Sequence, residues 1–148
     1  MEETFFKLLS DDNTLKRQHK YLKDEDSEAF EIFLKFLVTI EENLHYSEKE
    51  EYINLAKEFL DEKITADDFC YSFLAIYEGI NAKLNQLKNE ESVELAKFIT
   101  KVNRSELNPL LAKIYGSCDN FGLDPESYII NQKELKNYAK LLLLQLQQ

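Results

Sequence analysis

The stretch from Tyr52 to Tyr77, YINLAKEFLDEKITADDFCYSFLAIY, decides the fold. In its first half, apolar residues recur at spacings of three and four, which is the period of one face of an α-helix. In its second half, another apolar stripe starts at Phe69 and continues beyond the stretch to Leu84. The segment 62–64 between them allows only a short connection, which forces neighbouring helices to run antiparallel. We therefore predict a helical hairpin.

Polar residues mark where the two helices begin. Thr65 is a good N-cap for the second helix, and Asp67 and Asp68 add negative charge to its first turn, which the helix dipole favours. Ser47 and Glu50 have the spacing of a capping box for the first helix. The hairpin therefore carries start signals for both of its helices.

Further helices are predicted on both sides of the hairpin. One begins at Ser27, its N-cap, and carries an apolar stripe to Leu44. Residues 1–23 form an N-terminal extension, with one or two turns of helix followed by an exposed polar segment. Three helical segments follow the hairpin, and they begin near Ser92, Asn108 and Asn131. In the first of these, Val93 is expected to face the core.

The composition favours helices and a single domain. The 148 residues are 44% hydrophobic but include only 3 Gly and 2 Pro, and such a shortage of helix breakers favours an all-α protein. A chain of this length can bury a core without disulfides or metal. No internal repeat or low-complexity linker divides it. The sequence predicts one helical domain over residues 1–148, an antiparallel bundle of four or more helices.

The acidic residues are unevenly distributed. The formal net charge is −10, and residues 24–62 hold 13 acidic and 3 basic side chains. An acidic field of this kind repels nucleic acid and anionic membranes and attracts basic partners. We therefore predict no direct binding of nucleic acid. Runs of acids are usually solvated surface, but a role in solubility alone does not predict their concentration in one third of the chain.

The sequence contains no recognisable catalytic or metal-binding motif. His19 and His45 lie in or beside polar stretches, with no partner histidine at ligand spacing, and both are predicted to be surface residues. Gly-rich phosphate loops, nucleophile elbows and CxxC pairs do not occur. Cys70 and Cys118 are predicted to be small buried thiols without a bridge. We expect a protein that is not an enzyme and needs no cofactor or metal.

Neither a secretion signal nor a membrane span is predicted. Acids stand near the N-terminus where a signal peptide has basic residues, and Lys7 interrupts the apolar run. No segment reaches the roughly 20 uninterrupted apolar residues that a membrane span requires. These features predict a cytoplasmic protein and specify no oligomeric state.

Two stretches resemble the colicin D immunity family, the bacterial self-protective colicin-like immunity proteins. The first is INLAKEFLDEKITADDF, Ile53 to Phe69, an apolar helix followed by Lys-Ile-Thr and an acid–aromatic pair. The second is LLAKIYGSCDNFGLDPESY, Leu110 to Tyr128, which leads into NQKELKNYAKLL, Asn131 to Leu142. The resemblance covers about the last two thirds of the chain and assigns residues 50–148 to an immunity-like bundle. The chain departs from the family pattern in two places. Its first fifty residues have no counterpart in the family, and its segment 83–104 is longer and more polar.

The resemblance implies about four antiparallel helices that act as an inhibitor. It implies binding to the basic nuclease domain of a cognate toxin, a tRNA-cleaving enzyme in colicin D, with carboxylates where substrate phosphates would lie. The positions that match the family's acidic loop are Asp119 and Asp124, with Glu126 nearby. Further candidates for the contact come from the hairpin, and they are Asp61, Glu62, Asp67 and Asp68.

Two alternatives stand beside this interpretation. In the loop, Asp119 is equally explained as an acid that follows a helix, and Asp124 as part of an Asp-Pro turn. For the whole protein, a helical adaptor that recognises some other basic surface, with no toxin partner, would show the same composition.

Overall fold

A computed structural model describes residues 1–102, 106–121 and 128–147, with the backbone alone for 128–130. Its helices are α1 (Glu2–Arg17), α2 (Leu22–Glu25), α3 (Ser27–Ser47), α4 (Lys49–Leu60), α5 (Ala66–Asn89), a 3₁₀ helix (Val93–Phe98), α6 (Leu107–Asp119) and α7 (Tyr128–Leu146). The described part of the chain contains no strand. The predicted all-α helical bundle is confirmed.

The chain forms two compact units. Unit 1 consists of Met1–Leu44 and Asn81–Val102, and unit 2 of His45–Ile80 and Asn103–Gln148. The boundaries after Leu44 and Ile80 lie within helices, because α3 and α5 both contribute residues to the two units. The expectation of a single domain over the whole chain stays a prediction.

Aromatic side chains join α4 to α5 in the core of unit 2. Phe59 stacks on Phe69 with ring centroids 4.6 Å apart, and Tyr52 lies against Phe73 at 5.6 Å. Moving back along α4 therefore corresponds to moving forward along α5, which is the register of antiparallel helices. All four side chains are almost completely buried. The predicted hairpin is confirmed, and its apolar stripes face each other as their spacing requires.

His45 lies in this core, and its prediction as a surface residue was wrong. Its side chain has no exposed area, its Nδ1 atom lies 2.8 Å from the Tyr52 hydroxyl, and its ring stacks on Tyr77 at 4.7 Å. Burial raises the pKa of Tyr52, with Tyr77 and nearby acids adding to the effect, so Tyr52 stays protonated and can act as a donor. The polar residues next to His45 in the sequence suggested an exposed position, although His45 lies on the face of α3 that packs against Tyr52 and Tyr77.

α7 packs along α4 and α6 and completes the core of unit 2. Its buried stripe has helical spacing and consists of Leu135, Ala139, Leu142 and Leu146. The helix begins at Tyr128, so the predicted cap at Asn131 was wrong, and Asn131 lies inside the helix. Likewise α6 begins at Leu107 with Glu106 as N-cap, which places Asn108 in its first turn.

In unit 1, α1 is much longer than the one or two turns predicted. Its polar half is held by the side-chain amide of Asn13, which donates to the Lys88 carbonyl at 2.8 Å, and by an ion pair of Asp12 with Lys16 at 3.0 Å. These contacts stabilise a helix in a polar segment, where the pattern of apolar residues does not predict one.

The remaining predictions for unit 1 and the connection to α4 need small corrections. Asp26, rather than Ser27, caps α3, because its carboxylate accepts the Ala29 N–H at 3.1 Å. The residue at the N-cap of α4 is Glu48, and Ser47, predicted for that position, is the last residue of α3. Val93, expected to face the core, is 82% exposed.

Replacing Tyr52 tests whether its bond to His45 stabilises the core. Tyr52→Phe keeps the ring but removes the hydroxyl, which takes a partner from a fully buried imidazole. We expect the free energy of unfolding in urea to fall by about 1–3 kcal/mol. Tyr138→Phe is the matched control, because the Tyr138 hydroxyl donates to Glu134 at 2.8 Å on the exposed surface. Equal losses for the two variants would contradict a special role for the buried pair.

Candidate partner-binding surface

Four of the predicted contact residues lie together at the turn between α4 and α5. Asp61 and Glu62 follow the last residue of α4, Asp67 and Asp68 occupy the first turn of α5, and all four are exposed. We call these four residues the acidic turn. Folding thus brings the hairpin candidates into one small region, as the short connection predicts.

The end of α4 fixes the first two carboxylates. The Lys63 N–H donates to the Glu58 carbonyl at 2.9 Å, and the Glu62 N–H to the Phe59 carbonyl at 3.1 Å, which is the bond pattern of a Schellman motif. Glu62 holds the left-handed position of this motif with φ of 60°, where glycine is usual. A carboxylate therefore occupies a backbone position that helix termination alone would give to glycine.

The start of α5 fixes the other two. Thr65 Oγ1 accepts the Asp68 N–H at 3.1 Å, and the Asp68 carboxylate accepts the Thr65 N–H at 3.2 Å. This reciprocal pair is a capping box, with aspartate in the place of the more common glutamate. The predicted N-cap is confirmed. Asp68 is thereby engaged in holding the helix start, whereas Asp67 projects from the same turn.

Lys136 of α7 approaches the acidic turn. Its ammonium lies 3.2 Å from the Glu62 carboxylate and 5.8 Å from the centroid of the buried Phe59 ring. Exposed ion pairs contribute at most about 1 kcal/mol, so this contact adds little stability. It does partly neutralise Glu62, which makes Asp61 and Asp67 the more available charges of the acidic turn.

Asp119 lies at the same end of unit 2. Cys118, just before it, is hydrogen-bonded to Cys70, and Cys70 lies one helical turn after Asp67. Both cysteines are buried and unbridged, as predicted. The hydrogen bond to Cys70, together with burial, raises the pKa of the Cys118 thiol. Two cysteines that are distant in sequence thus bring the end of α6 to the start of α5, and Asp119 with it.

Asp119 is the last residue of α6 and is exposed. The C-terminus of a helix carries partial negative charge, so a carboxylate there is unfavourable, and the last turn of α6 contains no basic residue to offset it. Asp124 and Glu126, the other two residues of the predicted loop site, lie outside the described residues.

Tyr71 is a residue of this surface that sequence reasoning missed. It is 80% exposed and lies three and four residues after Asp68 and Asp67, on the same face of α5. Tyr71 lies two residues after the buried Phe69, which places it more than half a turn around the helix from the core stripe. The spacing in the sequence alone therefore predicts that Tyr71 is exposed. Aromatic side chains are enriched at protein interfaces relative to the rest of the surface.

The acid excess of residues 24–62 does not belong to one surface of one unit. The boundary after Leu44 leaves seven of its acids in unit 1 and six in unit 2. The concentration along the sequence is therefore not by itself a concentration in space. Of these six acids in unit 2, Asp61 and Glu62 belong to the acidic turn.

Comparison with known proteins finds no match to a family model, to a curated protein or to a solved structure. Within 1–102, 106–121 and 128–147, no three His, Cys, Asp or Glu side chains are grouped so as to hold a metal ion. No helix among the described residues has the length and apolar content needed to cross a membrane.

The two neighbouring aspartates of α5 have different roles, which unfolding measurements can separate. Asp68→Ala removes one bond of the capping box and a favourable dipole interaction, whereas Asp67→Ala removes the dipole interaction alone. We expect the loss in free energy of unfolding to be larger for Asp68→Ala by about 0.5–1 kcal/mol. Equal effects in urea titrations would show that the reciprocal bond contributes nothing in solution.

Proposed function

We propose that this protein is a non-enzymatic immunity protein, which acts in the cytoplasm by binding the basic active site of a nuclease toxin. The contact surface is the acidic turn with Tyr71 and Asp119. The observation that carries the proposal is that four exposed carboxylates flank one short turn, with the exposed Tyr71 one helical turn further along α5 and Asp119 at the end of α6 beside Cys118 and Cys70. The resemblance to colicin D immunity proteins, which is carried by the same segments of sequence, also supports the proposal.

Helix stability does not explain where these acids lie. Asp119 opposes the dipole of α6, and Glu62 occupies a position that favours glycine. A residue retained against such local costs, each of order 1 kcal/mol, is more readily explained by a partner than by folding. This argument does not extend to Asp67 and Asp68, since the dipole of α5 favours both and the capping box accounts for Asp68.

The chemistry of a nuclease cleft fits this surface. Such a cleft must be cationic to hold phosphates, so a set of carboxylates competes for it and is steered toward it electrostatically. Tyr71 supplies what charge alone does not, a large apolar contact with only two side-chain torsions to immobilise. The capping box and the Schellman motif hold the backbone of the acidic turn, which lowers the entropy lost on binding.

A helical adaptor without a toxin partner is the second candidate. One observation favours it, the exposure of apolar residues on α3 in unit 1. Ile32, Leu34 and Val38 each leave nearly half of their side-chain surface exposed. Leu34 and Val38 lie one helical turn apart, and a contiguous exposed apolar surface is common on proteins that bind other proteins. Such a surface lies outside the acidic surface proposed here.

Co-expression separates the two candidates. The proposal predicts that a neighbouring gene encodes a large protein that ends in a basic domain, and that this domain alone arrests growth. Expression of the present protein should restore growth and give a one-to-one complex on gel filtration. An adaptor would leave the arrest unchanged. Absence of both rescue and complex would overturn the proposal.

Kinetics with that basic domain would locate the surface. We expect the association rate constant to fall at least tenfold between low and high salt. Asp67→Asn combined with Asp119→Asn should slow association and flatten the salt dependence. Tyr71→Ala should instead speed dissociation, by about 30-fold if the ring is a central anchor worth about 2 kcal/mol.

The matched control is Glu50→Gln combined with Glu51→Gln. It removes the same charge from the opposite end of α4, about 15 Å from the acidic turn along the helix. If this control slows association as much as the Asp67 and Asp119 changes do, net charge rather than the proposed surface governs binding.

A further inference from the structure

Unit 1 contains a cavity that the proposed function does not use. It has a volume of about 450 Å³ and lies between α1, α2, α3 and the last turn of α5. Its apolar wall comes from α3, where Phe30, Phe33 and Leu37 line it. The volume is in the range of sites for small molecules. We call it the unit 1 cavity.

The polar lining of the unit 1 cavity is mainly cationic. Lys16, Lys23 and Lys88 line it, against two carboxylates, Asp12 and Asp24. Asp12 is already engaged by the Lys16 ammonium at 3.0 Å. The protein as a whole carries a net charge of −10, so a cavity with more lysines than carboxylates differs from the average composition of the chain. An apolar wall with a cationic lining suits an acid with an apolar body.

Lys88 is the cation set deepest in this lining. Its backbone is fixed by the side-chain amide of Asn13, which donates to its carbonyl at 2.8 Å. Burial and the like charge of Lys16 lower the pKa of Lys88, and Asp12 and Glu41 only partly offset them. Its surroundings therefore disfavour the charged form of Lys88, and a bound anion would stabilise that form.

A second cavity of unit 1, also lined by Lys88, has no surplus of cations. It measures about 310 Å³ and is lined by Leu34, Val38, Leu84 and two asparagines, with Glu41 as its charged group besides Lys88. One cation and one carboxylate there leave no net charge to attract an anion. The two cavities share a lysine but differ in the ligand that they suit.

We propose that the unit 1 cavity binds a small monocarboxylic acid with an apolar body. The carboxylate pairs with Lys88 and Lys16, and the body packs on Phe30 and Phe33. A monoanion fits better than a phosphate, because Asp12 would repel a dianion and the apolar wall offers it no donors. The binding is independent of the proposed inhibition of a nuclease.

Titration of the full-length protein with octanoate tests this proposal. Octanoate should shift backbone amide NMR signals of α1, α2, the first half of α3 and the last turn of α5, with saturation at a single site. Octanamide, which has the same chain without the charge, should bind at least tenfold more weakly. Equal affinities of the two ligands, or signals that shift elsewhere in the chain, would overturn the assignment.

Substitution of Lys88 identifies the cation. Lys88→Met keeps the aliphatic stem and should weaken octanoate binding at least tenfold, because a charge-assisted hydrogen bond is lost. Lys83→Met is the matched control, an exposed lysine of the same helix outside the cavity lining, and should leave the affinity unchanged. Unchanged affinity in Lys88→Met, or an equal loss in the control, would overturn the proposal.

Lys16→Met provides a second variant in case Lys88→Met does not fold, since Lys16 lies half-exposed on α1. It removes one cation and leaves the charge of Asp12 uncompensated, so octanoate binding should fall by more than tenfold. Retained binding in this variant would overturn the proposal. Growth rescue by these variants would be unaffected, which separates failure of this site from failure of the proposed function.

Discussion

The stack of Phe59 on Phe69 is the contact on which unit 2 depends. The two rings lie 4.6 Å apart at the closed end of the hairpin, and both are completely or almost completely buried. Since Phe59 is two residues before Asp61 and Phe69 one residue after Asp68, the stack sets the positions of both sides of the acidic turn. From there Tyr52, Phe73, His45 and Tyr77 continue the same packing away from the turn. A buried aromatic core thus supports a charged surface that has little stabilising role of its own.

Helices whose apolar residues repeat regularly could be predicted from the sequence, and their ends could not. α4 and α5 follow directly from periodicity, and Thr65 marks the start of α5 because its hydroxyl is suited to an exposed N–H. Three helices instead end with His19, Glu62 or Glu91 in the left-handed region, with φ between 48° and 60°. Glycine is the residue that usually marks such a helix end in a sequence, and none of these three ends has one. α1 was underestimated for a related reason, because the bond from Asn13 to Lys88 joins residues 75 positions apart.

The candidate surface was predicted in part. The hairpin acids come together because they flank one short turn, which local sequence already contains. That Asp119 joins them depends on the contact of Cys118 with Cys70, a pairing that no spacing rule gives. Tyr71 was overlooked because only acidic side chains were considered as contact residues. His45 was misplaced for a different reason, since a polar side chain in a polar stretch was assigned to the surface although Tyr52 and Tyr77 enclose it. The resemblance to the colicin D immunity family stays a hypothesis, for which the geometry of the acidic turn supplies a physical mechanism.

Amide hydrogen exchange at Phe69 tests most directly whether the hairpin is a rigid support for the acidic turn. The Phe69 N–H donates to the Thr65 carbonyl at 3.0 Å, the first backbone bond at the start of α5. If the aromatic stack holds this end closed, the Phe69 amide opens only with global unfolding and shows the same opening free energy as the amide of Phe73. Exchange of Phe69 at a rate close to that of an unprotected peptide, while Phe73 stays protected, would show that the first turn of α5 frays and that the carboxylates are not held in place.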